Sequence, residues 1–155
     1  YRFMHRNPML EMHPVDYTND PYLAARNDKL VSINATLQVD LLGQCCSESF
    51  GPQPYSGTGG QVDFVRAANR SRDGKSFIVL PSTAKGDSIS RIVPALSPGA
   101  HVTTGKNDVN YVVTEYGLAE LRGKTARQRA QALIGIAHPD FRGELSEAAR
   151  RLKLM

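Results

Sequence analysis

Val31-Ser32-Ile33-Asn34-Ala35-Thr36-Leu37-Gln38-Val39-Asp40-Leu41 alternates apolar and polar residues without a break. A period of two predicts a β-strand with one buried face. Working outward, Gly43 and Gln44 supply a turn into a second strand near Cys45 to Phe50, so a hairpin is expected. Gly51-Pro52-Gln53-Pro54 should end it, because neither proline can donate to a central ladder. Upstream, Asp20-Pro21 reads as a helix start, with a capping carboxylate followed by a proline at the first helical position, and predicts a short helix from Pro21 to about Asn27.

Downstream, Phe64, Val65 and Ala68 have helical spacing, and Asn69 to Gly74 is polar and turn-like. Phe77-Ile78-Val79-Leu80 is a continuous apolar run, as in a strand covered on both faces, and Pro81 stops it. Further strands are expected around Ile89 to Val93, His101 to Thr103 and Val109 to Thr114. The tail then changes character. Thr125 with Gln128 makes a capping box, and Ala126, Ala130, Leu133, Ile134 and Ala137 share one helical face. Phe141, Leu145, Ala148, Ala149 and Leu152 repeat that spacing after Pro139. Strands mixed with short helices before a helical tail indicate an α/β domain.

The chain has 155 residues, 41% of them hydrophobic, enough for one domain with a real core. It contains no apolar run long enough to span a bilayer, and Tyr1-Arg2-Phe3-Met4-His5-Arg6 lacks the apolar core of a signal peptide. A cytoplasmic location is expected, or a mitochondrial one in a eukaryote after loss of a targeting segment. The start has no initiating Met, so the chain reads as a piece of something longer. Its net charge of +4 comes from basic residues spread among acidic ones, and the densest basic clusters, Arg66 to Arg72 and Arg122 to Arg129, hold no aromatic. That distribution argues against nucleic acid as a partner. Cys45 and Cys46 are adjacent and the only two cysteines, so two reduced thiols in a strand are expected. The four His residues are scattered and no spaced ligand set occurs, so no metal site is expected.

Chemistry-bearing residues concentrate in three places. In Ser56-Gly57-Thr58-Gly59-Gly60-Gln61, three glycines precede a helix start, a setting that lets backbone N–H groups approach an anion. The spacing fits neither the P-loop nor the dinucleotide fingerprint, and a plain tight turn stays open beside a ligand loop. Pro81-Ser82-Thr83-Ala84-Lys85-Gly86 follows a buried strand, where Lys85 could meet a phosphate or simply be solvated. Asn19 could aim an amide at a substrate oxygen or brace a turn. Asp16, Glu48, Asp63 and Glu115 lack a visible base or partner carboxylate and read as structural or surface groups. Ser56 and Ser82 lack a His and Asp arrangement.

Taken together, several stretches are similar in order and wording to one family. They are Pro14-Val15-Asp16-Tyr17-Thr18-Asn19-Asp20-Pro21, Ser32-Ile33-Asn34, Gln38-Val39-Asp40-Leu41 and Gly59-Gly60-Gln61-Val62-Asp63-Phe64. After them come Leu80-Pro81-Ser82-Thr83-Ala84-Lys85, Ser90-Arg91-Ile92-Val93-Pro94, Val113-Thr114-Glu115-Tyr116-Gly117 and Ile136-Ala137-His138-Pro139-Asp140-Phe141. They resemble the C-terminal domain of the acetyl-CoA hydrolase/transferase family, the class I CoA-transferases acting on acetate, succinate, butyrate or 4-hydroxybutyrate. The resemblance covers nearly the whole chain.

It implies an open mixed sheet with flanking helices, the second of two similar α/β domains with the active site between them. The implied reaction passes CoA from an acyl-CoA to a small carboxylic acid through a glutamyl-CoA thioester. The family's glutamate lies upstream of the matched region, so Glu48 is not promoted to nucleophile and the isolated chain should be inactive. By resemblance, Gly57, Gly59 and Gly60 line the CoA thioester site, Lys85 contacts the CoA, and Asn19 contacts substrate. Coenzyme A enters as substrate, with no permanently bound cofactor. The partners implied are acyl-CoA, small carboxylates and an N-terminal domain of the same polypeptide, with room for a homo-oligomer. The alternatives are a stand-alone acyl-CoA-binding module and an acetyl-CoA hydrolase. As half of a two-domain enzyme, the chain should expose an interdomain surface.

Overall fold

The computed structural model describes residues 1–155. A helix absent from the sequence reading, α1 (Val15–Thr18), precedes the Asp20 signal, and α2 (Pro21–Ala24) follows it. Asp20 caps α2 as expected, its Oδ1 accepting from the N–H groups of Tyr22 at 2.7 Å and Leu23 at 3.1 Å. The helix stops three residues earlier than expected.

The alternating stretch is not one strand. It divides into β1 (Val31–Ala35) and β2 (Gln38–Asp40), which belong to different sheets. The break falls at Thr36, buried, whose N–H donates to Val79 and whose Oγ1 donates to the Cys46 carbonyl at 2.8 Å. The expected polarity holds for the apolar residues of the second half only, since Asp40 is buried too, its carboxylate accepting from the N–H groups of Leu42 and Gln44 and from the Gln44 side-chain amide. Val39 and Leu41 are buried, but in β1 the buried residue is Ser32 while Val31 and Ile33 face outward.

β3 (Cys45–Cys46) returns antiparallel to β2, so the Gly43-Gln44 hairpin is as expected. Both thiols are free and buried; burial, then Asp40 and Cys46, pushes the Cys45 thiol up. The segment to Phe50 is not one strand either. β4 (Ser49–Phe50) pairs with β5 (Gln53–Pro54), so the Pro52 and Pro54 stretch makes a two-stranded ribbon where the sequence suggested a stop. A free-standing ribbon tolerates proline because one side of each strand needs no ladder.

α3 (Gln61–Arg70) is longer than the sequence suggested and leads into β6 (Lys75–Val79). Then come β7 (Thr83–Ala84) and β8 (Ile89–Ser90), a small ribbon, and β9 (Ile92–Val93), which joins β2. The 101–103 segment is not a strand; only an isolated bridge between Cys45 and Thr104 forms there. β10 (Tyr111–Thr114) and β11 (Gly117–Glu120), the latter absent from the sequence reading, complete the main sheet in the order β1-β6-β10-β11. Its first three strands are parallel and β11 is antiparallel.

α4 (Ala126–Gly135) carries the expected capping box, and α5 (Pro139–Arg151) starts at its proline. Their apolar stripes close one continuous core in which Val39, Val65, Ile78, Ile92, Val112, Leu121, Leu133 and Leu145 are buried together. Leu152 departs from the expected face: it lies half-exposed at the end of α5. The result is a mixed α/β domain with small sheets and flanking helices.

Candidate functional site

Glu48 sets the entrance of the glycine turn through its backbone. Its carbonyl accepts from the N–H groups of Tyr55 at 2.7 Å and Ser56 at 3.1 Å. Its carboxylate is buried and accepts from Thr103 Oγ1 at 3.0 Å, while Thr103 itself accepts from the Ser47 N–H at 2.9 Å. Gln61, also buried, donates its side-chain amide to Thr104 Oγ1 at 3.0 Å and so ties the start of α3 to the same segment. Thr103, Thr104 and Gln61 were missed in the sequence, since no local pattern links residues forty positions apart. Glu48 is a brace.

Between these anchors the N–H groups of the turn have no partners. No N–H from Gly57 through Asp63 donates to any acceptor within the protein. The last of them belong to the first turn of α3, where the helix leaves its donors free and the dipole favours negative charge.

The glycines have different reasons. Gly59 has φ of +56°, a left-handed conformation that glycine adopts without penalty. Gly60 has φ −94° and ψ 12°, open to any residue, yet a Cβ there would lie 2.6 Å from Asn19 Nδ2 and 3.1 Å from the Phe64 ring. Gly57 and Gly59 border open space.

Asn19, distant in sequence, is thus brought against Gly60. Its Nδ2 donates to Asp63 Oδ2 at 3.5 Å and its Oδ1 accepts from Thr18 Oγ1 at 3.1 Å. Asp63 serves the first turn of α3 and holds this amide. Asp16 sits exposed in the first turn of α1, and the Ser56 hydroxyl donates only to the Gly57 carbonyl.

Lys85 occupies the tip between β7 and β8, where Lys85, Gly86 and Asp87 all have positive φ. The lysine is exposed, makes no ion pair, and lines a depression of about 210 Å³ with Leu37, Phe50, Ile89 and Arg91. No hydrogen bond joins it to the glycine turn. The link is indirect: Phe50 packs edge-on against Tyr55, 5.4 Å between ring centres, and Tyr55 leads into Ser56.

The base of this loop is fastened by Glu115. Its carboxylate accepts from the fully buried Ser82 through the hydroxyl at 2.5 Å and the N–H at 2.9 Å. Burial pushes the Glu115 carboxyl up, but the Ser82 hydroxyl, the backbone N–H groups and His138 outweigh it and hold it below its ordinary value of 4.5. A carboxyl lowered on folding contributes its full stabilisation above the unfolded value and loses it as pH falls through the folded one. Glu115→Gln should therefore flatten the loss of stability below about pH 4.5. Because the carboxylate is largely exposed, the effect should stay within about 1 kcal/mol. Urea midpoints at pH 7 and pH 3.5 check this; equal acid sensitivity of both proteins would refute it. No three His, Cys, Asp or Glu side chains converge to hold a metal ion.

Comparison with known proteins supplies the frame. The Acetyl-CoA hydrolase/transferase C-terminal domain matches residues 1–149 of the chain. The chain belongs to this family. It is 71% identical over 152 residues to the succinyl-CoA:cyclohexane-1-carboxylate CoA transferase of Geobacter metallireducens, covering 98% of this chain and 35% of that protein. It is 58% identical to the 4-hydroxybutyrate coenzyme A transferase of Clostridium kluyveri, over 94% of this chain and 34% of the relative. The crystal structure of RipA from Yersinia pestis superposes with a TM-score of 0.92 at 47% identity, over 99% of this chain and 34% of RipA. The chain therefore spans about a third of the length of the family members it matches. No helix is long and apolar enough to cross a membrane.

Proposed function

We propose that this chain is the C-terminal domain of a CoA-transferase and supplies one wall of its acyl-CoA site. The observation that carries the reading is the uninterrupted run of free backbone N–H groups from Gly57 to Asp63, opening a helix and flanked by the Asn19 amide. Such preorganised donors suit the oxyanion that develops when a thioester or anhydride carbonyl is attacked.

In the proposed reaction, a glutamate carboxylate from the N-terminal part of the parent polypeptide attacks the acyl-CoA carbonyl. The C–S bond breaks, leaving an acyl-glutamyl anhydride and the CoA thiolate. The thiolate then attacks the glutamyl carbonyl, releasing the first carboxylic acid and forming the glutamyl-CoA thioester; the second carboxylate reverses the sequence and leaves as the new acyl-CoA. Gly57, Gly59 and Gly60 present N–H groups to the oxyanions, Asn19 orients the substrate oxygen, and exposed Lys85 meets a CoA phosphate. Gly60 keeps its N–H and the Asn19 amide close by having no side chain.

Assay of CoA transfer from acetyl-CoA to succinate or butyrate tests this: the full-length parent should turn over and the isolated chain should not. Turnover by the isolated chain would refute the division of labour, and a parent that only hydrolyses acetyl-CoA would refute transfer. Glu48→Gln in the parent is expected to retain kcat within about tenfold, since its carboxylate braces Thr103 through one replaceable hydrogen bond. A loss comparable to removing a nucleophile, about 10⁴-fold or more, would reinstate Glu48 as a reacting group.

A further inference from the structure

The tip between β7 and β8 follows a course that its residues do not favour. Lys85, Gly86 and Asp87 succeed one another with φ of 52°, 61° and 62°. Glycine enters that left-handed region without penalty, but a lysine or an aspartate there crowds its Cβ against the following carbonyl. Such a conformation persists only where the surroundings hold it. The strand pairs Thr83 with Ser90 and Ala84 with Ile89 fix the two ends of the loop. Across it, Thr83 Oγ1 donates to Asp87 Oδ1 at 2.5 Å, and Ser88 Oγ donates to the Lys85 carbonyl at 2.9 Å.

The bond from Thr83 does two things. Its donor is buried in the domain while its acceptor is a carboxylate on the exposed tip, so one charge-assisted hydrogen bond ties the tip to the body of the fold. It also occupies the carboxylate. Asp87 stands two residues from Lys85, yet the two make no ion pair. Lys85 instead borders the depression of about 210 Å³ together with Arg91, which makes no ion pair either and whose Nε is buried without a partner. Two cations left without a counter-charge at one depression suit a phosphorylated ligand. A released Asp87 carboxylate would compete with that ligand for the lysine.

We infer that Asp87 is a positioning residue for substrate binding: by accepting from Thr83 it holds the tip in its left-handed course and keeps its own charge off Lys85, so that the ammonium group stays free for a CoA phosphate. A loop set beforehand spares the binding step the cost of ordering it. The inference rests on the reading of Lys85 as a phosphate contact and adds to it the pair that prepares the lysine, Thr83 and Asp87.

The test measures kcat/KM in the full-length parent with two donors, acetyl-CoA and S-acetylpantetheine, which carries the thioester but no phosphate. Asp87→Ala and Thr83→Val are expected to lower kcat/KM for acetyl-CoA about tenfold while leaving that for S-acetylpantetheine within about twofold. Asp87→Asn keeps the accepting oxygen and should recover the acetyl-CoA value to within about threefold. Lys85→Ala should show the same split between donors, and adding Asp87→Ala to it should change little. If Lys85→Ala lowers kcat/KM for acetyl-CoA while Asp87→Ala and Thr83→Val do not, the inference is overturned and the reading of Lys85 stands. Equal losses with both donors would make the Thr83 to Asp87 bond a general support of the fold and also overturn it. If Lys85→Ala alters neither donor, the reading of Lys85 itself fails and the inference falls with it. Asp87 is exposed, so its two variants keep the test decisive should Thr83→Val, at a buried position, fold poorly.

Discussion

Gly60→Val in the full-length parent is expected to lower kcat/KM for CoA transfer by at least about 100-fold, the size of effect that an ångström of misplacement at a reacting group produces. Backbone strain is not the reason, since φ −94° and ψ 12° suit any residue. Space is. A Cβ would sit 2.6 Å from Asn19 Nδ2 and 3.1 and 3.2 Å from the Phe64 ring. Phe64 is partly exposed and can swing away, whereas Asn19 is held between Thr18 and Asp63 and must leave its place.

A double-mutant cycle isolates that path. Gly60→Ala and Asn19→Ala should each impair transfer, and their combination should be little worse than Asn19→Ala alone. Additive losses would show that Gly60 acts through the ligand and not through Asn19. Unchanged kinetics in Gly60→Val would reduce the turn to a structural element and remove the principal support for the proposed oxyanion site.

Gly74→Ala is expected to destabilise the fold by about 3 kcal/mol or more, near the upper end for a single small-to-large change. A methyl at Gly74 would overlap the backbone carbonyl oxygen of Ala68 and lie 2.8 Å from the Ser71 side chain. Neither can yield cheaply. The Ala68 carbonyl is part of α3, and Ser71 Oγ accepts from the Leu30 N–H at 3.1 Å and donates to the Asn27 carbonyl at 2.7 Å, joining the end of α3 to the entry of β1. Gly143→Ala provides the contrast: it lies within α5 with open space around it, and should stabilise by up to about 1 kcal/mol. Urea unfolding followed by circular dichroism measures both. A Gly74→Ala midpoint within error of the wild type would mean that the α3 to β6 turn relaxes freely.

Much of the architecture is legible in local pattern. The Asp20 cap, the Gly43-Gln44 hairpin, the capping box at Thr125 and the apolar stripes of α4 and α5 rest on steps of no more than eight positions between interacting residues, so their physics is contained in short windows. The alternation from Val31 to Leu41 misleads for a physical reason. Period two reports that one face of each strand is apolar, but not which face the chain buries. In β1 Ser32 turns inward and Ile33 outward. The apolar run around Phe77 predicts cover on both faces, yet Phe77 and Val79 are only half-buried. The short β7 and β11 leave no signal in the sequence, because two to four residues seldom carry a period.

The candidate site divides in the same way. From the order of its motifs alone, the chain is a member of the acetyl-CoA hydrolase/transferase family, with Gly57, Gly59, Gly60, Asn19 and Lys85 as the residues to watch. Chemistry of residue types and spacing survives in one dimension. Only the tertiary structure decided that Asn19 rests against Gly60 across forty residues, that Glu48 is a brace tied to Thr103, and that the N–H groups from Gly57 to Asp63 are left without partners. Those facts are sums over contacts between distant segments. A linear pattern can name the residues that meet, but packing alone sets which atoms are satisfied and which stay free to bind.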